Sequence, residues 1–222
     1  MEIYKYGNPE AARVLIQPVD DHDLAGIEKE AALIHEMTGL DFYLIAVKVS
    51  SWNRDLSPWP APAVFGKENF GDGARDTLKE ILKYTGDTGK TYYLGGYSLS
   101  GLFALWAAMQ TDMFRGIAAA SPSAWFPDFY EYVQKNAMKT SAVYLSLGDK
   151  EHKSRSPVMA TVEDKLRGIY AQLQAQPLKC TLEMNAGNHF KDPELRTAKG
   201  FAWVLQHTNL VRDKNSETAK NE

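Results

Sequence analysis

The stretch that decides the reading is GGYSLSG, Gly95-Gly96-Tyr97-Ser98-Leu99-Ser100-Gly101, set between the apolar runs TYYL and LFALWAAM. The first run has the β-branched and aromatic character of a strand, and the second is a helix former. Two serines among three glycines at a strand-to-helix junction suit a sharp turn that presents a nucleophile. Strand and helix pass so closely in such a turn that the residues two before and two after the nucleophile must be small. Ser98 meets this condition, with Gly96 before it and Ser100 after it. Ser100 does not, because Leu102 would follow it. Ser98 is therefore the candidate nucleophile. The motif departs from the usual G-x-S-x-G only at Ser100, where serine replaces glycine. A glycine-rich turn without chemistry is the competing reading.

Outward from this turn, strand-like and helix-like segments alternate. RVLIQPV (Arg13–Val19) reads as a strand, and a helical face of Leu24, Ile27, Ala31 and Ile34 follows it. FYLIAVKV (42–49) is a continuous apolar run, as expected of a strand covered on both faces. A long segment rich in Pro, Gly and Trp leads to a helix over 74–84. Beyond the turn, a strand (GIAAAS), a helix (DFYEYVQKN), a strand (SAVYLSLG), a helix within 156–174, a strand (KCTLEMN) and a last helix (PELRTAKGFAWVLQHT) are predicted. Alternation of this kind predicts an α/β protein, a three-layer α/β/α sandwich around a mostly parallel sheet. One domain is expected over 1–211. RDKNSETAKNE (212–222) lacks an apolar face and is expected to be a disordered tail. Ligands of open parallel sheets bind beyond the carboxyl ends of the strands, so the loops there are the ones to search.

A serine hydroxyl needs a base to take its proton. Of the five histidines, only His189 falls directly after the last predicted strand, where triads of chain order Ser, acid, His carry their base. Gly187, Asn185 and Asn188 give its loop freedom to turn the ring toward the serine. The acid belongs after the preceding strand, where LSLGDKEH offers Glu151 and Asp149. Glu151 is favoured as the third residue beyond Gly148, and Asp149 is the alternative.

The composition limits the remaining classes. The formal net charge of -3 and the absence of an aromatic-rich basic run exclude a nucleic-acid surface. No run approaches the ~18 apolar residues of a membrane span. The single cysteine, Cys180, excludes an intrachain disulfide framework. The polar N-terminus MEIYKYGNPE has no apolar core of a secretory signal, so a cytoplasmic protein is expected. The sequence carries no signal for oligomeric state.

GGYSLSGLFAL, ASPSAWF, LSLGDKE and GNHF together resemble an α/β-hydrolase of the putative esterase family that includes esterase D and the enterobactin-type esterases. The resemblance implies a compact α/β-hydrolase fold without a large lid. It implies a serine carboxylesterase that cleaves a small-molecule ester through an acyl-serine intermediate, with Ser98, Glu151 and His189 as triad and no cofactor. Thioesterase or peptidase chemistry, or a non-catalytic protein retaining the fold, are the alternatives.

The oxyanion hole is expected from the backbone N–H of Leu99 and from the loop around Val19–Asp21, represented by Asp20. Trp52, Trp59 and Trp125 are candidates for a substrate pocket. Arg54 either meets an acidic group of the substrate or pairs with Asp55. DDHD (20–23) contains metal-ligand residue types, but adjacent residues rarely converge on one ion. Helix N-capping by Asp21 or Asp23 is the expected role, and no metal is predicted.

Overall fold

The computed structural model describes residues 1–210; the expected boundary at 211/212 and the tail lie outside the described residues. Seven strands form one sheet: β1 (Glu2–Gly7), β2 (Arg13–Val19), β3 (Tyr43–Lys48), β4 (Thr91–Tyr97), β5 (Phe114–Ala120), β6 (Ala142–Gly148) and β7 (Lys179–Asn185), in spatial order β1-β3-β2-β4-β5-β6-β7. All neighbours are parallel except β1, which pairs antiparallel with β3. The helices are α1 (Asp21–Thr38), the short α2 (Trp52–Asp55), α3 (Ala74–Leu82), α4 (Leu99–Gln110), α5 (Phe129–Lys135), α6 (Val162–Gln174) and α7 (Pro193–His207).

The period-2 geometry of the strands divides the apolar residues between two cores. Leu15, Leu44, Ala46, Tyr93, Ala118 and Tyr144 point to one face, against Ile27 and Ile34 of α1 and Phe201 and Val204 of α7. Their neighbours Val14, Ile16, Ile45, Leu94, Ile117 and Val143 point to the other, against α3, α4, α5 and α6. The central strands are therefore buried throughout, which is why they read as unbroken apolar runs. Among the described residues, no helix is long and apolar enough to cross a membrane.

Two features depart from the expectations. EIYKYG forms the edge strand β1, where its polar residues face outward. The helix expected within 156–174 begins as an α-helix only at Val162, after a turn of 3-10 helix over Met159–Thr161. The other predicted elements are present within a few residues of their expected limits.

The sheet order reverses beside β4: β2 leads outward to β3, and β4 leads the opposite way to β5. A crevice opens beyond the carboxyl ends at such a switch point. GGYSLSG lies at that end of β4.

Candidate active site

Ser98 connects β4 to α4 at φ 57 and ψ -119, a conformation that side chains other than glycine rarely adopt. Its amide donates to Ala120 O (3.1 Å), and its carbonyl accepts from Ser123 N (3.0 Å). These two bonds hold the strained residue in place. The small neighbours are required by contact. A Cβ on Gly96 would meet Ser100 Oγ at 2.0 Å, and one on Gly101 would meet Gly96 O at 3.0 Å. Ser100 is fully buried and donates from Oγ to Pro18 O (2.7 Å), which fastens the first turn of α4 to the end of β2. The serine that departs from the motif is thus a structural tie.

His189 stands in the loop after β7, with Nε2 3.0 Å from Ser98 Oγ and Nδ1 2.7 Å from Glu151 Oε2. Ser98 Oγ also lies 3.3 Å from Ser123 Oγ. Glu151, 7% exposed, begins a turn of 3-10 helix after β6. Its Oε1 accepts from Gly148 N (2.7 Å), Ser121 Oγ (2.8 Å) and Arg196 Nη1 (3.0 Å). A Cβ on Gly148 would sit 2.9 Å from that oxygen and 2.4 Å from Gly187 O, so glycine is what lets the acid and histidine loops close together. Asp149, the alternative acid, turns to the backbone instead, where its Oδ1 accepts from Gly187 N (2.7 Å).

Arg196 was not singled out by the sequence reading. It lies on α7, 1% exposed, and joins both loops. Beyond Glu151, it donates to Tyr97 OH (3.1 Å), Ser121 Oγ (3.2 Å), Ala186 O (3.3 Å) and Asn188 O (3.0 Å). Tyr97 OH in turn donates to His189 O (2.7 Å). Burial pushes the Tyr97 hydroxyl up to about 12, so it remains a neutral donor at physiological pH. The sequence signal was available: Arg196, Gly200 and Val204 recur every four residues on the buried stripe of α7.

The carboxyl end of β2 closes the other side. Asp20, not Asp21 or Asp23, caps α1; its side chain accepts from Asp23 N (2.8 Å). Leu99 N–H is the first amide of α4, in the turn where helical amides have no intrahelical acceptor. Among the described residues, no group of three or more His, Cys, Asp or Glu side chains is arranged to hold a metal ion.

A cleft of about 410 Å³ opens on His189 and Glu151, with Trp125 and Phe190 as its aromatic walls. The other two candidate tryptophans lie elsewhere. Trp59 packs on Phe126, Phe129 and Tyr132, and its Nε1 donates to Pro127 O (3.0 Å). It faces a separate recess with Asp128 and Lys135. Trp52 packs against the core at the start of α2. Arg54 pairs with Asp55 (2.8 Å). Burial opposes ionisation of Asp55, but hydrogen bonds from Arg54 and from the Ser50 and Ser51 amides outweigh it and lower its carboxyl below the ordinary value.

A mostly parallel, doubly covered sheet with a strained serine between β4 and α4 is the α/β-hydrolase fold. Solved structures share it. An IroE-like serine hydrolase from Shewanella oneidensis superposes with a TM-score of 0.69 at 17% identity, over 90% of this chain and 74% of that one. The siderophore hydrolase EstA from Aspergillus nidulans gives 0.65 at 18% identity, over 91% and 86%. The enterobactin esterase FES from Shigella flexneri gives 0.62 at 13% identity, over 92% of this chain and 55% of that one. At these identities the likeness is one of fold. No protein-family model matches the chain, and no curated protein matches it.

Proposed function

We propose that the protein is a serine carboxylesterase with Ser98 as nucleophile, His189 as base and Glu151 as orienting acid. The observation that carries this reading is the unbroken chain Ser98 Oγ, His189 Nε2, His189 Nδ1, Glu151 Oε2, with steps of 3.0 and 2.7 Å, set on a strained strand-to-helix turn. In the first half-reaction, Ser98 Oγ bonds to the ester carbonyl carbon and His189 Nε2 takes its proton. Glu151 Oε2 holds the ring by Nδ1–H and stabilises the imidazolium. The backbone N–H groups of Leu99 and Asp20 are the donors assigned to the developing oxyanion. Collapse of the tetrahedral species breaks the ester C–O bond, and His189 returns the proton to the departing alcohol. Water then attacks the acyl-serine with the same base, releasing the acid and restoring Ser98. The fold neighbours that are named hydrolases of siderophores and of enterobactin favour ester over amide substrates. A lone cysteine, Cys180, fits action in the cytoplasm.

Turnover of p-nitrophenyl esters tests this. The wild-type chain should release p-nitrophenol with an initial burst, and Ser98→Ala should abolish both burst and turnover. Undiminished turnover by a folded Ser98→Ala chain would overturn the assignment.

A further inference from the structure

The cleft beside the triad is charged in a way the chain as a whole is not. The protein carries a formal net charge of -3, yet Lys150, Lys153 and Arg155 line this one opening. All three are exposed, and among the described residues none is engaged in an ion pair. The acids of the same loop are already committed. Asp149 accepts from Gly187 N, and Glu151 is held by His189, Ser121, Gly148 N and Arg196. The nearest acid of α6, Glu163, is bound to His152 (3.0 Å) and Arg167 (2.8 Å). The three cations thus stand at the cleft outside the ion pairs formed among the described residues. Beside them the wall is apolar: Trp125 is nearly buried, and Phe190 is 85% exposed at the mouth, edge-on to the His189 ring (5.6 Å).

On the reading of the site as an esterase, we propose that its substrate is an anionic ester, with an apolar or aryl portion against Trp125 and Phe190 and a carboxylate-like group reaching Lys150, Lys153 and Arg155. Complementary charge at a cleft raises local substrate concentration and sets which esters are accepted. The guanidinium of Arg155 can hold a planar oxyanion with two hydrogen bonds, while the two lysines act as point charges. The anion can sit on the acyl side or on the leaving alcohol, and both chemistries meet the same cations.

Two substrate pairs separate these cases. p-Nitrophenyl hydrogen glutarate against its methyl ester places the charge on the acyl side. p-Butyryloxybenzoate against p-butyryloxybenzamide places it on the leaving group. In at least one pair the anionic ester should have the higher kcat/KM, by about tenfold at low salt for three partly screened contacts. The ratio should fall as NaCl is raised. The Lys150→Gln, Lys153→Gln, Arg155→Gln triple variant should bring it close to one. A ratio of one or less in both pairs, or a preference that the triple variant and salt leave intact, overturns the inference while the esterase reading stands. Failure of the wild-type chain to turn over any of the four esters overturns both.

Discussion

Glu151 and Glu30 are both buried glutamates, 7% and 3% exposed, and their surroundings are opposite. Glu151 has a donor for each oxygen: His189 Nδ1 on Oε2, and Gly148 N, Ser121 Oγ and Arg196 Nη1 on Oε1. Glu30, on α1, receives one long bond from Gln17 Nε2 (3.4 Å). Its Oε1 finds no partner among the described residues, and neither do Gln17 Oε1 or Asp23 Oδ2 in the same small cavity. Burial pushes the Glu30 carboxyl well above its ordinary value, and the nearby Asp23 and Glu194 add to the effect. Burial with few donors and with acidic neighbours thus raises a carboxyl. At Glu151, a helix on the far side of the loop supplies an aimed donor and a cation through Arg196.

The largest effect that would break this contrast is on catalysis. On the proposed mechanism, Glu151→Gln keeps the shape but removes the charge assigned to orienting His189, and kcat should fall by roughly 10⁴-fold. Asp149→Asn keeps an acceptor for Gly187 N and removes only a charge, so its loss should stay within about tenfold. Steady-state kinetics on a p-nitrophenyl ester checks both, and the reverse ranking would make Asp149 the acid.

Arg196→Met comes next. It strands Glu151, Tyr97 and two loop carbonyls, and breaking a buried ion pair from one side typically costs about 3–5 kcal/mol. Urea unfolding should show that loss, with kcat reduced as the histidine loop loosens. Arg196→Lys, which restores the charge but not the fork, should recover part of each.

The other side of the comparison predicts a pH effect. In the unfolded chain Asp23 and Glu30 release their protons near their ordinary values of 3.8 and 4.5; in the fold burial pushes Asp23 up to about 7, and Glu30 is held well above its own. The folded state therefore binds more protons across this window, and stability falls as pH rises through it. Asp23→Asn and Glu30→Gln should each flatten the plot of Tm against pH from 3.8 to about 7. A wild-type Tm that rises steadily over that range would contradict the assignment of these two groups.

The smallest expected change is at Ser100→Ala. It removes the bond to Pro18 O (2.7 Å) from a buried site, at a cost of about 1 kcal/mol, with most of kcat retained. Calorimetry and kinetics on one preparation check both halves.

Most of the sheet was legible because its strands are buried on both faces and read as apolar runs. The meeting of Ser98 and His189 was legible because both lie just beyond strand ends, which the alternation of elements reveals. β1 escaped because an edge strand is only partly covered on each face, and the exposed Glu2 and Lys5, one on either face, made it look like a polar terminus. The pocket tryptophans were legible only in part. Trp59 is close in sequence to a strand end, but its loop folds away to bond Pro127, 68 residues further along the chain. Periodicity records which face of an element is buried, not where a long loop returns.

The central claim is that Ser98 is an activated nucleophile. Its most direct test is the site of reaction with a fluorophosphonate probe, read by mass spectrometry of the digested adduct. One adduct per chain is expected, on the peptide carrying Ser98, and none in Ser98→Ala. An unlabelled wild-type chain, or an adduct at Ser100, Ser123 or any other residue that persists in Ser98→Ala, would contradict it.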